Sequence, residues 1–570
     1  MRLPLLTELS TSREMIDVFG GYNHNLRIGE GEFYEMKNLT SADYPVLSPR
    51  AKRGKYKVNT TTSDPIALAP LDTLCYVEKE DSGCGLYINK TKVEKFKLSS
   101  SRKTLVRMGA YLVVFPDKMY INTTDLSDFG AIEFSYMCDS SVTFTPCKRD
   151  GSALDEGTSG TYIKIAPETT DVDKGKWFDQ FNIGDGIVIK GIKEDSITFL
   201  NTACVIQYKG DDFIVITGAL DKEYTQICRI DQTIPDDEGK PITFSRSLPE
   251  MDFVIESGNR LWGCRYGLSK NGKFVNEIYA SKLGDFKNWN VFEGISTDSY
   301  VASVGTEGEF TGAITYLGYP IFFKENYLHK VYGNYPSNYQ IQTTACRGVQ
   351  KGCSKSLAIV NEVLYYKARS AVCGYDGSLP VEISAPLGDI SYSDAIAGGI
   401  GNKYYISMKA KDSNDEYSLF VYDTHKGMWH REDDTQAVQF CECNGNLYYI
   451  DYADKEIKMV HEEAGEDSET EPIEWEAITG IIGTNSPDKK YISSLVVRIK
   501  LEVGTVVRFF AEYDSSGEFE HLFTMTGKNL NSMSIPIRPK RCDHLRLKIV
   551  GKGMAKIYSI CKTTERGSDV

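Results

Sequence analysis

From residue 74 onward the chain alternates short apolar runs, rich in Tyr, Val, Ile and Phe, with polar or glycine-containing turns. One unit recurs: a short apolar strand, a turn rich in Asp, Asn, Gly or Lys, then a second strand carrying Tyr. It reads "LCYVEKEDSGCGLYINK" at 74–90, "GAYLVVFPDKMYINT" at 109–123 and "GNRLWGCRYGLSKNGKFVNEIYAS" at 258–281. It continues as "LGYPIFFKENYLHKVYG" at 317–333, "NEVLYYKARSAVCGYDGSLPVEIS" at 361–384, "NKYYISMKAKDSNDEYSLFVYDTHKGMWH" at 402–430 and "NGNLYYIDYADKEIKMV" at 444–460. β-Branched and aromatic residues bounded by such turns predict hairpins, and long helical periodicity is scarce. The chain reads as all-β.

A hairpin repeated at roughly 40-residue spacing points to a β-propeller, in which each unit is a blade whose faces only its neighbours can bury. Six or seven blades are expected, over residues 61–137 and 248–460. A two-sheet sandwich also uses alternating strands but does not call for a repeated hairpin. Residues 138–247 break the rhythm with "TYIKIAP", "NIGDGIVIKGI", "SITFLNTACVIQY" and "DDFIVITG". These short strands predict an inserted small β-barrel or sandwich domain lodged between two blades. The run "HEEAGEDSETEP", 461–472, reads as a solvated acidic linker. Residues 473–570 read as a C-terminal antiparallel β-sandwich, and residues 1–60 as a lead-in to the first blade.

Length allows two or three domains. With 41% hydrophobic and 25% charged residues the composition is that of an ordinary globular protein. No apolar run approaches the roughly 20 residues of a membrane span. The start, "MRLPLLTELSTSREM", has no continuous apolar stretch of the secretory kind, so the chain is expected to fold where it is made. Fourteen cysteines, mostly isolated in apolar runs such as "TACVIQY", read as small hydrophobic residues suited to a reducing cytoplasm. A formal net charge of −14 argues against a nucleic-acid coat and would keep passing DNA from sticking.

Candidate chemistry is sparse. His24, His329, His425, His430, His461, His521 and His544 are scattered without metal-ligand spacing, and Cys441 and Cys443 form a C-x-C with no second pair nearby. The segment "ETTDVDKG", 168–175, has a calcium-like composition without the ligand spacing. Neither a nucleophile elbow, a phosphate loop nor a zinc-protease motif is present. A glycosidase would need two carboxylates about 5–9 Å apart, and 79 acidic residues nominate many pairs without selecting one. Tyrosine, 35 residues, could stack on sugars or build interfaces, but half-buried strand positions are its commoner use in a sheet-rich chain. No metal, cofactor or catalytic residue is assigned.

The stretch "VFGGYNHNLRIGEGEFYEMKNLTSADYPVLSPRAKRG", 18–54, carries a glycine pair, an acidic "GE" and an extended, proline-limited close. Arg50, Lys52 and Arg53 are expected outside the core, either facing solvent or gripping an acidic neighbour at an assembly interface. Gly20 and Gly21, then Gly31 and Glu32, Asn38 and Leu39, and the close "VLSPRAKRG" resemble the opening of β-propeller tail hub or nozzle proteins of tailed bacteriophages, above all the short-tailed ones. "EIYASKLGDFKNWNVFE", 277–293, "LGYPIFFKENYLHKVYG" and "TTACRGVQKGCSKSLAIVNEVLYY" resemble later segments of the same family. Here the basic close is stretched to "SPRAKRG", and the insertion has no counterpart in the resemblance.

That resemblance implies a structural virion protein, made in the bacterial cytoplasm, that forms a ring of copies, commonly a hexamer, below the portal and its adaptor protein. It would extend the DNA exit channel, help retain the genome, dock tail fibres or a plug and touch packaged DNA transiently, by assembly and gating and not as an enzyme. The alternative is a carbohydrate-binding or glycan-cleaving propeller used for host-surface attachment. A cytoplasmic scaffolding propeller is a third possibility.

Overall fold

The computed structural model describes residues 11–56, 64–138, 141–168, 178–228, 241–270, 272–411, 416–461, 469, 471–483, 489–527, 531–536 and 540–566. Most of the acidic linker and of the calcium-like segment lies outside the described residues. Among those described, the elements are strands apart from five short 3₁₀ turns. The chain is all-β: a β-propeller with an inserted β-domain and a C-terminal β-sandwich. It divides into two compact units, Met1–Lys92 with Cys346–Val570, and Val93–Ala345.

Each blade is a four-stranded antiparallel sheet, and each of the seven hairpins read from the sequence supplies the second and third strands of one. In the first unit the leading strands Ala358–Val360, Tyr392–Ile400, Ala437–Cys443 and Pro65–Pro70 lie side by side in that order. The last of these opens a sheet that continues through Leu74–Glu80 and Gly83–Ile88 to Thr91–Leu98, the strand in which the chain passes into the second unit. In the second unit the order is Thr104–Met108, Phe253–Ser257, Gly312–Tyr316.

Local chemistry explains the hairpins. Tyr316 pairs with Tyr319, Val360 with Val363 and Cys443 with Asn446, so each connection is two residues long. Both linking residues have positive φ: 50° and 79° at Leu317 and Gly318, 48° and 64° at Asn361 and Glu362, 52° and 76° at Asn444 and Gly445. That is the turn whose twist matches the strands it joins, and Asn and Gly adopt it at least cost. The sheets then bury their faces on one another. Tyr405, Leu419 and Val421 of one blade pack on Phe440, Leu447 and Tyr449 of the next. Each such side chain removed from water contributes roughly 1.5–3 kcal/mol.

The inserted region runs between the outer strand Phe129–Ala131 of one blade and the inner strand Phe253–Ser257 of the next. Its eight strands form one antiparallel sheet around a core that includes Phe144, Ile163, Ile187, Ile206, Ile216 and Phe244. The cysteines stand as free thiols, mostly buried, as small apolar side chains would be.

The amino-terminal segment is not a lead-in to the first blade. Thr11–Ile16 is an edge strand of the sandwich, antiparallel to Ala555–Arg566, and Glu32–Lys37 pairs with Glu474–Thr479 in its other sheet. Gly54–Lys55 then pairs with Ile457–Met459 and supplies the outer strand of the last blade. The physical reason is the open edge: that blade's own hairpins give three strands, and an unpaired edge invites other strands unless it is covered. Two glycines of the opening stretch are required by this route. Gly21 at φ +85° and Gly31 at φ +96° would place a Cβ 2.5 Å from the Trp429 carbonyl oxygen and 2.3 Å from that of Val18.

Candidate functional site

Two buried polar joints stand out, one in each unit. The first is built by the opening stretch. Asn38 takes positive φ and donates its backbone N–H to the Glu432 carbonyl, while its side chain accepts from Arg50 Nε at 2.8 Å and donates to the Glu474 carbonyl at 2.8 Å. Arg50 grips Glu469 with both terminal nitrogens, at 2.9 and 3.0 Å, the two-pronged geometry that suits a guanidinium to a carboxylate. Arg53 Nη2 donates to Glu432 and to Asp433, each at 2.8 Å, with its guanidinium 5.3 Å from the Tyr449 ring centre. The backbone of Arg53 also exchanges hydrogen bonds with Glu469.

Arg50 and Arg53 are therefore not outside the core: they are 6% and 4% exposed. The extended run puts them inward because a blade end and the linker offer three carboxylates there, and a guanidinium is tolerated in the interior when so paired. Lys52, between them, is partly exposed. Two cations face three anions, and the titrations follow. Burial works to raise Asp433, but Arg53 and Arg50 outweigh it and hold the carboxyl at about 2. Glu432, fully enclosed and beside Asp433, is raised by burial despite Arg53. Glu469 is lowered, burial being outweighed by its bonds to Arg50.

A cavity of about 630 Å³ adjoins this joint, lined by Lys37, Arg53, Lys55, Lys458 and Trp475 among others. Its lysines are committed: Lys37 to Asp434 at 3.0 Å, Lys55 to Glu456 at 3.1 Å and Lys458 to Asp451 at 2.8 Å. Among the described residues, Arg53 Nε and Nη1 are buried without an acceptor.

The second joint fixes the insertion to its host blade. Asp185, 5% exposed, accepts from Arg246 Nη1 at 2.9 Å, from Asn288 Nδ2 at 2.8 Å and from the Asn182 N–H at 2.9 Å. Asn288 returns a bond, its Oδ1 accepting the Gly186 N–H at 2.9 Å, and Lys282 Nζ donates to the Gly184 carbonyl at 2.7 Å. Lys282 and Asn288 belong to "SKLGDFKNWNVFE", 281–293, whose Phe286 and Trp289 anchor it in the blade core. No sequence signal singles out Asp185 or Arg246, because they lie 61 residues from each other and Asp185 lies 103 from Asn288. Asn288 could be marked only through the family-like text around it.

Elsewhere four of the candidates of the sequence are structural. His329 sits between the hydroxyls of Thr306 and Thr343, at 3.0 and 2.9 Å, and burial pulls it down to about 4. Burial pulls His430 to about 3. Cys441 and Cys443 face an apolar core with Tyr76 and Ile450, where burial pushes Cys441 up to about 12. Among the described residues no group of three or more His, Cys, Asp and Glu is placed to hold a metal, and no helix is long and apolar enough to cross a membrane.

No family model matches the chain, and no curated protein matches it. Among solved structures it is similar to the extracellular domain of BT4673 of B. thetaiotaomicron, named as a one component system, at 10% identity and a TM-score of 0.19. That match covers 70% of this chain, which spans 65% of the other. An exo-beta-1,3-galactanase from Phanerochaete chrysosporium follows at 9% identity and TM-score 0.20, over 54% of this chain and 94% of that one. A GH43 glycoside hydrolase gives 11% and 0.20, over 55% and 96%. At such identities and TM-scores no residue role passes from those proteins to this chain. The expectation that the chain is not an enzyme does not stand as a conclusion from missing motifs: paired carboxylates from distant strands leave no motif in a sequence, so missing motifs do not exclude bond chemistry.

Proposed function

We propose that the chain is a structural protein of a tailed-phage virion, of the tail hub or nozzle class, acting as a ring of copies around the DNA exit channel. The observation that carries the reading is where two of the four family-like stretches lie. Residues 18–54 run through the sandwich and complete the last blade, and residues 281–293 clamp the insertion. Part of the text that resembles the family is thus used to lock separately folded modules to one another, as a rigid spacer in a tail requires. The net charge of −14 suits a channel along which DNA slides. In that setting the portal-proximal adaptor and fibre or plug proteins would be the neighbours.

Electron microscopy of the purified chain, alone and added to tailed particles, tests this. Rings that label the tail below the portal are expected. Particles that stay monomeric and never associate with tails would remove the reading. A polysaccharide panel run in parallel has a separate meaning: binding or cleavage of a surface glycan would put the attachment reading in its place.

A further inference from the structure

In the first unit, the segment 383–391 that links the sheet at 358–382 to the next one at 392–431 leaves a cavity of about 470 Å³. Lys367, the last residue of strand Val363–Lys367, lines it and is only 3% exposed. Its Nζ donates to the carbonyls of Ala368 at 2.5 Å and Arg369 at 3.5 Å and to Gln350 Oε1 at 3.2 Å, all neutral acceptors. A buried ammonium is ordinarily paired with a carboxylate, since the cost of desolvating a charge is otherwise unmet. Burial pulls this one down to about 8, and Lys411 adds repulsion.

The rest of the lining points the same way. Arg369 and Lys411 are exposed at the cavity and form no ion pair among the described residues. Of the two carboxylates on its wall, Glu382 is held by Arg347 at 2.7 Å, which leaves Asp389. Three cations thus face one uncommitted anion, with the hydroxyls of Ser384 and Ser391 beside them. The volume is that of a small-molecule pocket.

We infer that this cavity binds a small hydroxylated anion, of the sugar-acid or sugar-phosphate class, with its oxyanion among Lys367, Arg369 and Lys411 and its hydroxyls toward Asp389 and the serines. The site is independent of the virion reading and goes beyond it. The test is titration calorimetry of the full chain with glucuronate and with glucose 6-phosphate, against neutral glucose and inorganic phosphate. The same titrations are run on an Arg369→Gln, Lys411→Gln double variant, which alters two exposed side chains and leaves the fold's buried groups in place. Expected are binding of at least one charged sugar, loss of affinity at higher salt, and an affinity at least about tenfold lower in the double variant. Three results would overturn the inference: no binding of either charged sugar at about 10 mM, unchanged affinity in the variant, or glucose binding equally well. Inorganic phosphate binding as tightly as glucose 6-phosphate would overturn the hydroxylated body of the ligand.

Discussion

The two polar joints solve one problem with different chemistry. The amino-terminal joint gathers segments about 380 to 420 residues apart and packs two buried guanidiniums against three carboxylates, of which Glu469 is partly exposed. The insertion joint brings together one Arg–Asp pair and leaves the rest to an amide, the Lys282 ammonium and backbone groups. A strand two residues long, Gly54–Lys55, makes few ladder bonds, so the segment that carries it must be held by something stronger. The insertion has its own apolar core and needs only to be oriented. The difference teaches that charge is concentrated where the docked segment cannot fold alone.

The comparison breaks first at Arg53. Arg53→Met leaves Glu432 and Asp433 buried without Nη2, and removing one partner of a buried ion pair costs about 3–5 kcal/mol. Urea unfolding should show a correspondingly lower midpoint. Hydrogen exchange should quicken at Gly54–Lys55 and Ile457–Met459 before it does so in the insertion. A change below about 1 kcal/mol would mean that the strap is held by its apolar residues instead.

Acid sharpens the same contrast. The folded Asp433 carboxyl, at about 2 against an ordinary 3.8, binds a proton less readily than it does unfolded. Its contribution, on the order of 2 kcal/mol, is full above 3.8 and disappears as pH falls toward about 2. Glu432 has the opposite sign: being raised, it favours the folded state as pH falls toward its ordinary 4.5. Stability measured against pH should therefore fall below 3.8 more steeply in the parent than in Asp433→Asn. Equal slopes would show that Asp433 is not held by the arginines.

The insertion joint should yield less. Asn288→Ala leaves the Gly186 N–H buried and unpaired and takes one of three donors from Asp185, a cost of about 1–3 kcal/mol. Exchange should quicken around 182–190, with the sandwich strands unaffected. An effect as large as that of Arg53→Met would erase the distinction between the joints.

What could be read from the sequence follows the range of each interaction. The hairpins at 74–90 through 444–460 were legible because strand alternation and turn residues such as Asn444 and Gly445 are local. The sandwich was legible from runs such as "VVRFFAEY", where Val507, Phe509 and Ala511 are buried and Arg508 is exposed. The closing strand Gly54–Lys55 was not, since two residues have no period and its partner is four hundred residues away. Arg50 and Arg53 were misplaced for a related reason. A basic run looks solvated until the folded chain brings Glu432, Asp433 and Glu469 to it.

Lys52 is the smallest test and bears on assembly. Its two basic neighbours are engaged within the chain, so it is the member of the trio whose charge can still reach a neighbouring copy. As a partly exposed side chain it should tolerate Lys52→Glu within about 0.5 kcal/mol of the parent stability. If the proposed ring uses this charge, the same variant should lose rings in electron micrographs at low ionic strength, where a rim charge pair is least screened. Added salt should narrow the difference from the parent by weakening the parent's rings. Rings that form equally well in both proteins would confine the basic close to its work inside the chain, and the search for a contact between copies would then move to surfaces away from the strap.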